Sequence, residues 1–320
     1  AFAGCPAHQP GQDVISVKRK RKGSGGVGHG VSDPAIMMAR KAQGRMLRRP
    51  AAQGKGATRQ VRGLLLSCRK SGETAMRLLV ANANTTEAIT ETCAAVARAA
   101  AAPGTEIIGA TPRFGPAVIA TRVENVIAGH ALLEVLAEHA GRVDAVLLAV
   151  SFDTALDAAR QMMPCPVLGM TEAAALTACM MGGRFGLITF GNVEPYRELI
   201  ARHGLSARLA ALAGLDATPP EALANPEGVA EKLRIAVEGL AAQGADSVVL
   251  AGAALAGFDR RLAGRAALPL FDGIRCGVKL AEALVALDPP RAQQGSYAAP
   301  MGRLSQGLAP ALAAILRQGA

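Results

Sequence analysis

From residue 76 onward, short apolar runs alternate with longer stretches whose apolar residues recur every three or four positions. Short runs of Val, Ile, Leu and Ala predict strands buried on both faces, and the helical-period stretches between them predict crossovers joining parallel strands. Strands are expected at 77–82, 106–110, 145–150, 167–169, 185–190, 247–252 and 268–271. Helices are expected at 86–101, 122–138, 171–180, 194–202, 228–242 and 277–287. The pattern also repeats. Asp144-Ala-Val-Leu-Leu-Ala-Val150 returns 102 residues later as Asp246-Ser-Val-Val-Leu-Ala-Gly252, and a shorter strand follows each copy, after Pro166 and after Pro269. The fold class expected is therefore α/β, with two similar parallel-sheet halves related by a pseudo-twofold. The halves run roughly over 76–180 and 181–290, closed by a C-terminal helical segment. Ligands of open parallel sheets sit beyond the carboxyl ends of the strands, which predicts a binding cleft between the halves.

Residues 1–75 carry no such period. They hold 15 of the 35 Lys and Arg residues and 3 of the 25 Asp and Glu residues, so the whole net charge of +10 originates there. The remainder is close to neutral, which argues against a nucleic-acid partner for the body of the protein. Gly23, Gly25 and Gly28 spell G-x-G-x-x-G, but a charged run, Lys18 to Lys22, stands where a dinucleotide site needs a strand. The segment is expected to be a disordered, dispensable tail, and the favoured reading is that it is upstream sequence and not native.

Composition narrows the class further. Half of the 320 residues are hydrophobic, only 3% are aromatic and none is tryptophan, so the core must be built from small aliphatic side chains. No apolar run reaches the roughly 18 residues of a membrane-spanning helix. Cys5, Cys68, Cys93, Cys165, Cys179 and Cys276 form no C-x-x-C pair, which suits a reducing cytoplasm. The five histidines are scattered and suggest no metal constellation.

Several ordered segments resemble the aspartate/glutamate/hydantoin racemase superfamily, and within it the hydantoin-racemase-like branch. They are Leu78 to Thr86, Gly115 to Ile119, Asp144 to Arg160, Val167 to Ala174, Arg184 to Thr189, Asp246 to Gly257 and Pro269 to Ile274. The likeness extends over about residues 77–287. It implies proton exchange without a cofactor, at a carbon next to a carbonyl, on an amino acid, a hydantoin or a related carboxylic acid. It also implies two cysteines facing each other across the cleft, one from each half. An acid and a base on opposite faces are what inversion of a stereocentre requires. Aligned without a gap, the first cysteine position is Val150, followed by Ser151, and the second is Gly252, followed by Ala253. Proton transfer through cysteine is therefore not expected. The alternatives are a decarboxylase or lyase acting on a related acid, and a ligand-binding member without turnover. Homo-oligomerisation stays open.

Candidate residues follow from the strand ends. Ser151, Asp153 and Asp272 are the polar groups nearest the two vacated cysteine positions and are the catalytic candidates, with an aspartate carrying the charge because serine alone is a weak base. Asn82, Asn84, Thr85, Val150, Phe152, Thr171, Thr189, Gly252 and Ala253 are the candidates for binding substrate. Each polar one also has a plain structural reading. Asn84, Thr85, Asp153 and Thr171 stand where helix caps are expected, and Asp272-Gly273 reads equally as a turn.

Overall fold

Met76–Ala81 forms strand β1, and its last four residues are fully buried, as a strand covered on both faces requires. The structure, a computed structural model, describes residues 76–318, so the expectations for 1–75 lie outside the described residues. After β1 come α1 (Glu87–Ala100), β2 (Thr105–Ala110), α2 (Arg122–His139), β3 (Ala145–Leu148), α3 (Leu156–Met162), β4 (Val167–Gly169) and α4 (Met170–Met181). A second round follows with β5 (Phe185–Phe190), α5 (Glu194–Arg202), β6 (Leu209–Leu215), α6 (Pro219–Ala224), α7 (Pro226–Ala242) and β7 (Ser247–Leu250). It continues through α8 (Phe258–Arg261), β8 (Leu270–Asp272) and α9 (Gly273–Leu287), and α10 (Pro310–Gln318) comes last.

The strands form two four-stranded parallel sheets ordered β2-β1-β3-β4 and β6-β5-β7-β8, one order repeated twice. The internal repeat seen in the sequence returns here bond for bond. Asp144 N donates to Arg77 O at 2.9 Å, and the Asp144 carboxylate accepts from Arg77 N at 2.8 Å. Asp246 makes the same pair with Arg184, at 2.8 Å in each direction. This exchange sets the register at the start of the central strand pair in each sheet. At the other end Ala149 N bonds Ala81 O and Ala251 N bonds Ile188 O, both at 2.8 Å.

Besides the short helices α3, α6 and α8, which fall outside the expected ranges, two features depart from the expected architecture. Strand β6 has no counterpart among the expected strands. Its sequence, Leu-Ala-Ala-Leu-Ala-Gly-Leu, is poor in β-branched residues, and it lies half-buried at a sheet edge with a register shift against β5. The second is an exchange of helices. Helix α4 follows the first sheet but packs Ala174, Ala175 and Ala178 against Phe185, Leu187 and Val249 of the second. Helix α9 follows the second sheet and lies on the first, so close that a Cβ on Gly277 would stand 2.3 Å from Leu147 Cδ1. Glu282 of α9 accepts from Ala102 N at 2.7 Å and Thr105 Oγ1 at 3.0 Å, fastening it between α1 and β2. The residues just past the ends of β1, β3, β5 and β7 face one shared space, and that is where the cleft opens.

Candidate active site

A cavity of about 460 Å³ lies at these strand ends and takes lining from both halves. Asn84, Thr86, Val150, Ser151 and Phe152 come from the first half, and Thr189, Asn192, Tyr196, Gly252 and Ala253 from the second. Ile89, Val118, Ile119, Phe190, Pro219 and Leu223 supply much of the remaining wall, which is apolar. Among the described residues no Asp, Glu, Lys, Arg, His or Cys lines it, and Tyr196 is the single titratable side chain. A larger cavity of about 550 Å³ between α2, α3 and α10 lies away from these strand ends.

The polar centre of the cavity is a group of hydroxyls. Ser151, in the turn after β3, sets its Oγ 2.6 Å from the Tyr196 Oη, which projects from the first turn of α5. The Thr189 hydroxyl, near the end of β5, is also hydrogen-bonded to Tyr196. The Phe152 ring lies against the tyrosine ring with centroids 4.9 Å apart. Burial pushes the Tyr196 hydroxyl above its ordinary pKa, outweighing the lowering by Ser151 and Thr189, and the nearby Asp153 charge pushes the same way. The phenol therefore stays protonated at neutral pH, as a hydrogen-bond donor.

Several expected site residues support the cavity from behind. Asn82 is fully buried, and its amide donates to Asn84 Oδ1 at 2.9 Å and Thr90 Oγ1 at 3.0 Å. Thr85 N donates to Pro116 O at 3.1 Å, and Thr171 Oγ1 donates to Ser151 O at 2.7 Å. None of these three lines the cavity; Asn84, Val150, Phe152, Thr189, Gly252 and Ala253 do, as does Ser151.

The two aspartates are placed differently from expectation. Neither lines the cavity. Asp153 turns under α4, where its carboxylate accepts from Thr171 N at 3.0 Å, Glu172 N at 2.8 Å and His203 Nε2 at 3.1 Å. Asp272 caps α9 through Arg275 N at 3.0 Å and also accepts from Gly257 N. The reason is electrostatic. Unpaired helix amides offer a buried carboxylate the hydrogen bonds that an apolar cleft cannot.

Burial still raises the Asp272 pKa from 3.8 to about 6, the backbone hydrogen bonds offsetting only part of the loss of hydration. The folded protein thus prefers the neutral acid. The resulting stability is complete below about pH 4 and is lost as pH rises through about 6, a change of about 3 kcal/mol. Asp272→Asn is expected to lack that loss, so urea unfolding should show its stability relative to the parent improving from about pH 4 to about pH 7. Parallel pH profiles for the two proteins would show that this carboxyl ionises as it does in the unfolded chain.

Residues 78–281 match the family described as Asp/Glu/Hydantoin racemase. The chain belongs to the Asp/Glu/hydantoin racemase family. It is 32% identical over 233 residues to the hydantoin racemase of Paenarthrobacter aurescens, covering 70% of this chain and 98% of that relative. The solved allantoin racemase from Klebsiella pneumoniae is 34% identical, with a TM-score of 0.70 over 74% of this chain and 98% of its own. An allantoin racemase from Pseudomonas fluorescens is 32% identical, with a TM-score of 0.67 over 70% and 97% of the two chains. Among the described residues of this family member, no helix is long and apolar enough to cross a membrane.

Val150 and Gly252, the positions where the resemblance puts the family's two thiols, both line the cavity, one from each half. The described cysteines, Cys93, Cys165, Cys179 and Cys276, are not among the lining residues. Burial raises Cys93 far above an ordinary thiol, Cys165 to about 12 and Cys276 to about 11. Such groups remain thiols at neutral pH and behave as small apolar side chains. Tyr196 is the residue that reading the sequence missed. Its signal was faint: one of two tyrosines in the chain, directly after a proline that opens a helix at a strand end.

Proposed function

We propose that this chain binds a neutral cyclic ureide of the hydantoin type in the cleft. There it exchanges the proton on the carbon next to the carbonyl, without a cofactor and without cysteine. The observation that carries this reading is the uncharged lining of the cavity at the strand ends, which Val150 and Gly252 enter from the two halves. A free amino acid would bring an ammonium and a carboxylate into a space with no ionic partner, at a cost of several kcal/mol per ion. A ureide brings N–H donors and carbonyl acceptors, which Asn84, Thr86, Ser151 and Tyr196 can pair. The hydantoin and allantoin racemases it resembles are named for such compounds.

The chemistry follows from the protonation states. Removing the proton puts negative charge on the carbonyl oxygen, and hydroxyl donors already oriented in a water-poor space stabilise it. Ser151 and Tyr196 are those donors. None of the described lining groups is a base at neutral pH, so hydroxide from solvent takes the proton and the rate climbs with pH. Tyr196→Phe is expected to lower the exchange rate about tenfold while leaving the apolar contacts in place. Deuterium uptake at the ring carbon of single hydantoin enantiomers, followed by NMR alongside the loss of optical activity, measures it. An unchanged rate would remove the phenol from the reaction.

The missing base favours a second reading, a ligand-binding member without turnover. Hydantoins that raise the thermal midpoint while exchanging no faster than in buffer would establish it. Release of carbon dioxide from malonate-type acids would instead move the chain to the decarboxylase alternative. Stabilisation by amino acids but not by hydantoins would refute the neutral-ligand reading.

A further inference from the structure

Tyr196 and His203 are seven residues apart, two helical turns, and so both ends of the same face of α5 meet the first half. They meet three consecutive residues there. Ser151 takes the Tyr196 hydroxyl at 2.6 Å, Phe152 takes its ring, and Asp153 takes His203 Nε2 at 3.1 Å. The 151–153 segment is itself held fast. Asp153 stands at φ 47, a left-handed conformation unusual for a side-chain-bearing residue, and two α4 amides hold its carboxylate there. Gly169 has no side chain to obstruct this, since a Cβ would lie 2.3 Å from the Asp153 Cγ. Thr171 Oγ1 holds Ser151 O from the same helix end.

Helix α5 has fewer polar ties across the cleft. Apart from the hydroxyl pair and the contacts of His203, its other polar contact with the first half among the described residues is Glu198 to Arg122 at 2.7 Å, which is solvent-exposed and so contributes little. The His203 side chain is only 14% exposed. Its Nδ1 faces Glu172 Oε1 at 3.6 Å, and Arg160 holds that carboxylate with two hydrogen bonds. His203 therefore lies between two carboxylates of the first half while it belongs to the helix that carries the cavity's phenol.

We infer that His203 is a positioning residue: its bond to Asp153 clasps α5 to the first half and keeps the Tyr196 hydroxyl set against Ser151 inside the cavity. This rests on reading Tyr196 as the working hydroxyl. The position of the phenol, however, can be read with no ligand present. The chain contains two tyrosines, so a Tyr297→Phe background leaves Tyr196 as the sole phenol to titrate by near-ultraviolet absorbance. Tyr297 lies on the surface, away from the cavity, with its hydroxyl on Asp157.

In that background, His203→Leu is expected to let water reach the phenol, so that Tyr196 titrates close to the ordinary tyrosine value of about 10. Hydantoin affinity should fall about tenfold with it. His203→Gln, whose amide can still donate to Asp153, should return both readings to the parent's. His203→Asn, polar but too short to reach, should behave as Leu does and replaces it if that variant does not fold. A purely structural histidine would lower the thermal midpoint in Leu and Asn alike with the Tyr196 titration unmoved, and that outcome overturns the inference. A moved titration restored by Gln, in a protein that binds no hydantoin, would uphold the clasp and refute the ligand assignment instead.

Discussion

Cysteine at both Val150 and Gly252 is expected to raise the exchange rate on a hydantoin by about 1,000-fold over the parent at neutral pH, within the range that a placed acid–base pair supplies. The two positions line one cavity from opposite halves, as two-sided proton transfer needs. Space permits both changes. Gly252 has φ −176, extended backbone open to any residue, and an added Cβ would meet Phe190 Cε2 at 3.1 Å and Leu255 side-chain atoms at 3.2 and 3.3 Å. Those are side-chain atoms that give by a few tenths of an ångström. Val150→Cys exchanges one small buried side chain for another. A thiol has a pKa near 8.5, so a useful fraction is thiolate where the Tyr196 phenol is wholly protonated. Either single variant supplies an acid or a base without its counterpart, so the gain should be strongly non-additive. Iodoacetamide should abolish it, whereas the parent's slow exchange should resist. A folded double variant exchanging at the parental rate would mean that the substrate carbon does not sit between these two positions.

Gly273→Ala is expected to destabilise the protein by about 3 kcal/mol, at the upper end of what overpacking costs. An added Cβ would stand 2.5 Å from the Met170 carbonyl oxygen and 2.9 Å from its carbon. Met170 opens α4 and Gly273 opens α9, so the collision falls where the exchanged helices start. Both partners are backbone, and no rotamer change relieves the contact. Gly239→Ala serves as the control. It lies within α7 with nothing inside 4 Å of its added Cβ, so the change should stabilise by about 0.5–1 kcal/mol through helix propensity. Urea unfolding of the two variants beside the parent decides the matter. Equal midpoints for Gly273→Ala and the parent would show that the helix starts separate freely.

Much of the architecture was written locally. The strands at 167–169 and 185–190 and the helix at 194–202 fall where the apolar period put them. The 102-residue repeat proved to be a repeat of hydrogen bonds, with Asp144 and Asp246 setting register through the same backbone exchange. The place of the cleft followed as well, because parallel strands in either half must end on the same side. Strand β6 was not legible, since alanine and glycine at a half-buried edge carry little strand signal.

The family and the doubled parallel sheet were thus determined by the sequence. The direction of each side chain at the strand ends was decided by the tertiary structure. Asp153 and Asp272 stand beside the cleft in the chain, yet helix amides draw both carboxylates away from it. Tyr196 reaches Ser151 across 45 residues, and α4 and α9 each settle on the sheet of the other half. Hydrophobic period and backbone propensity act within a strand or a turn, so a short window of sequence records them. A buried polar group instead turns toward whichever donors its packed neighbours bring, and those neighbours come from distant parts of the chain.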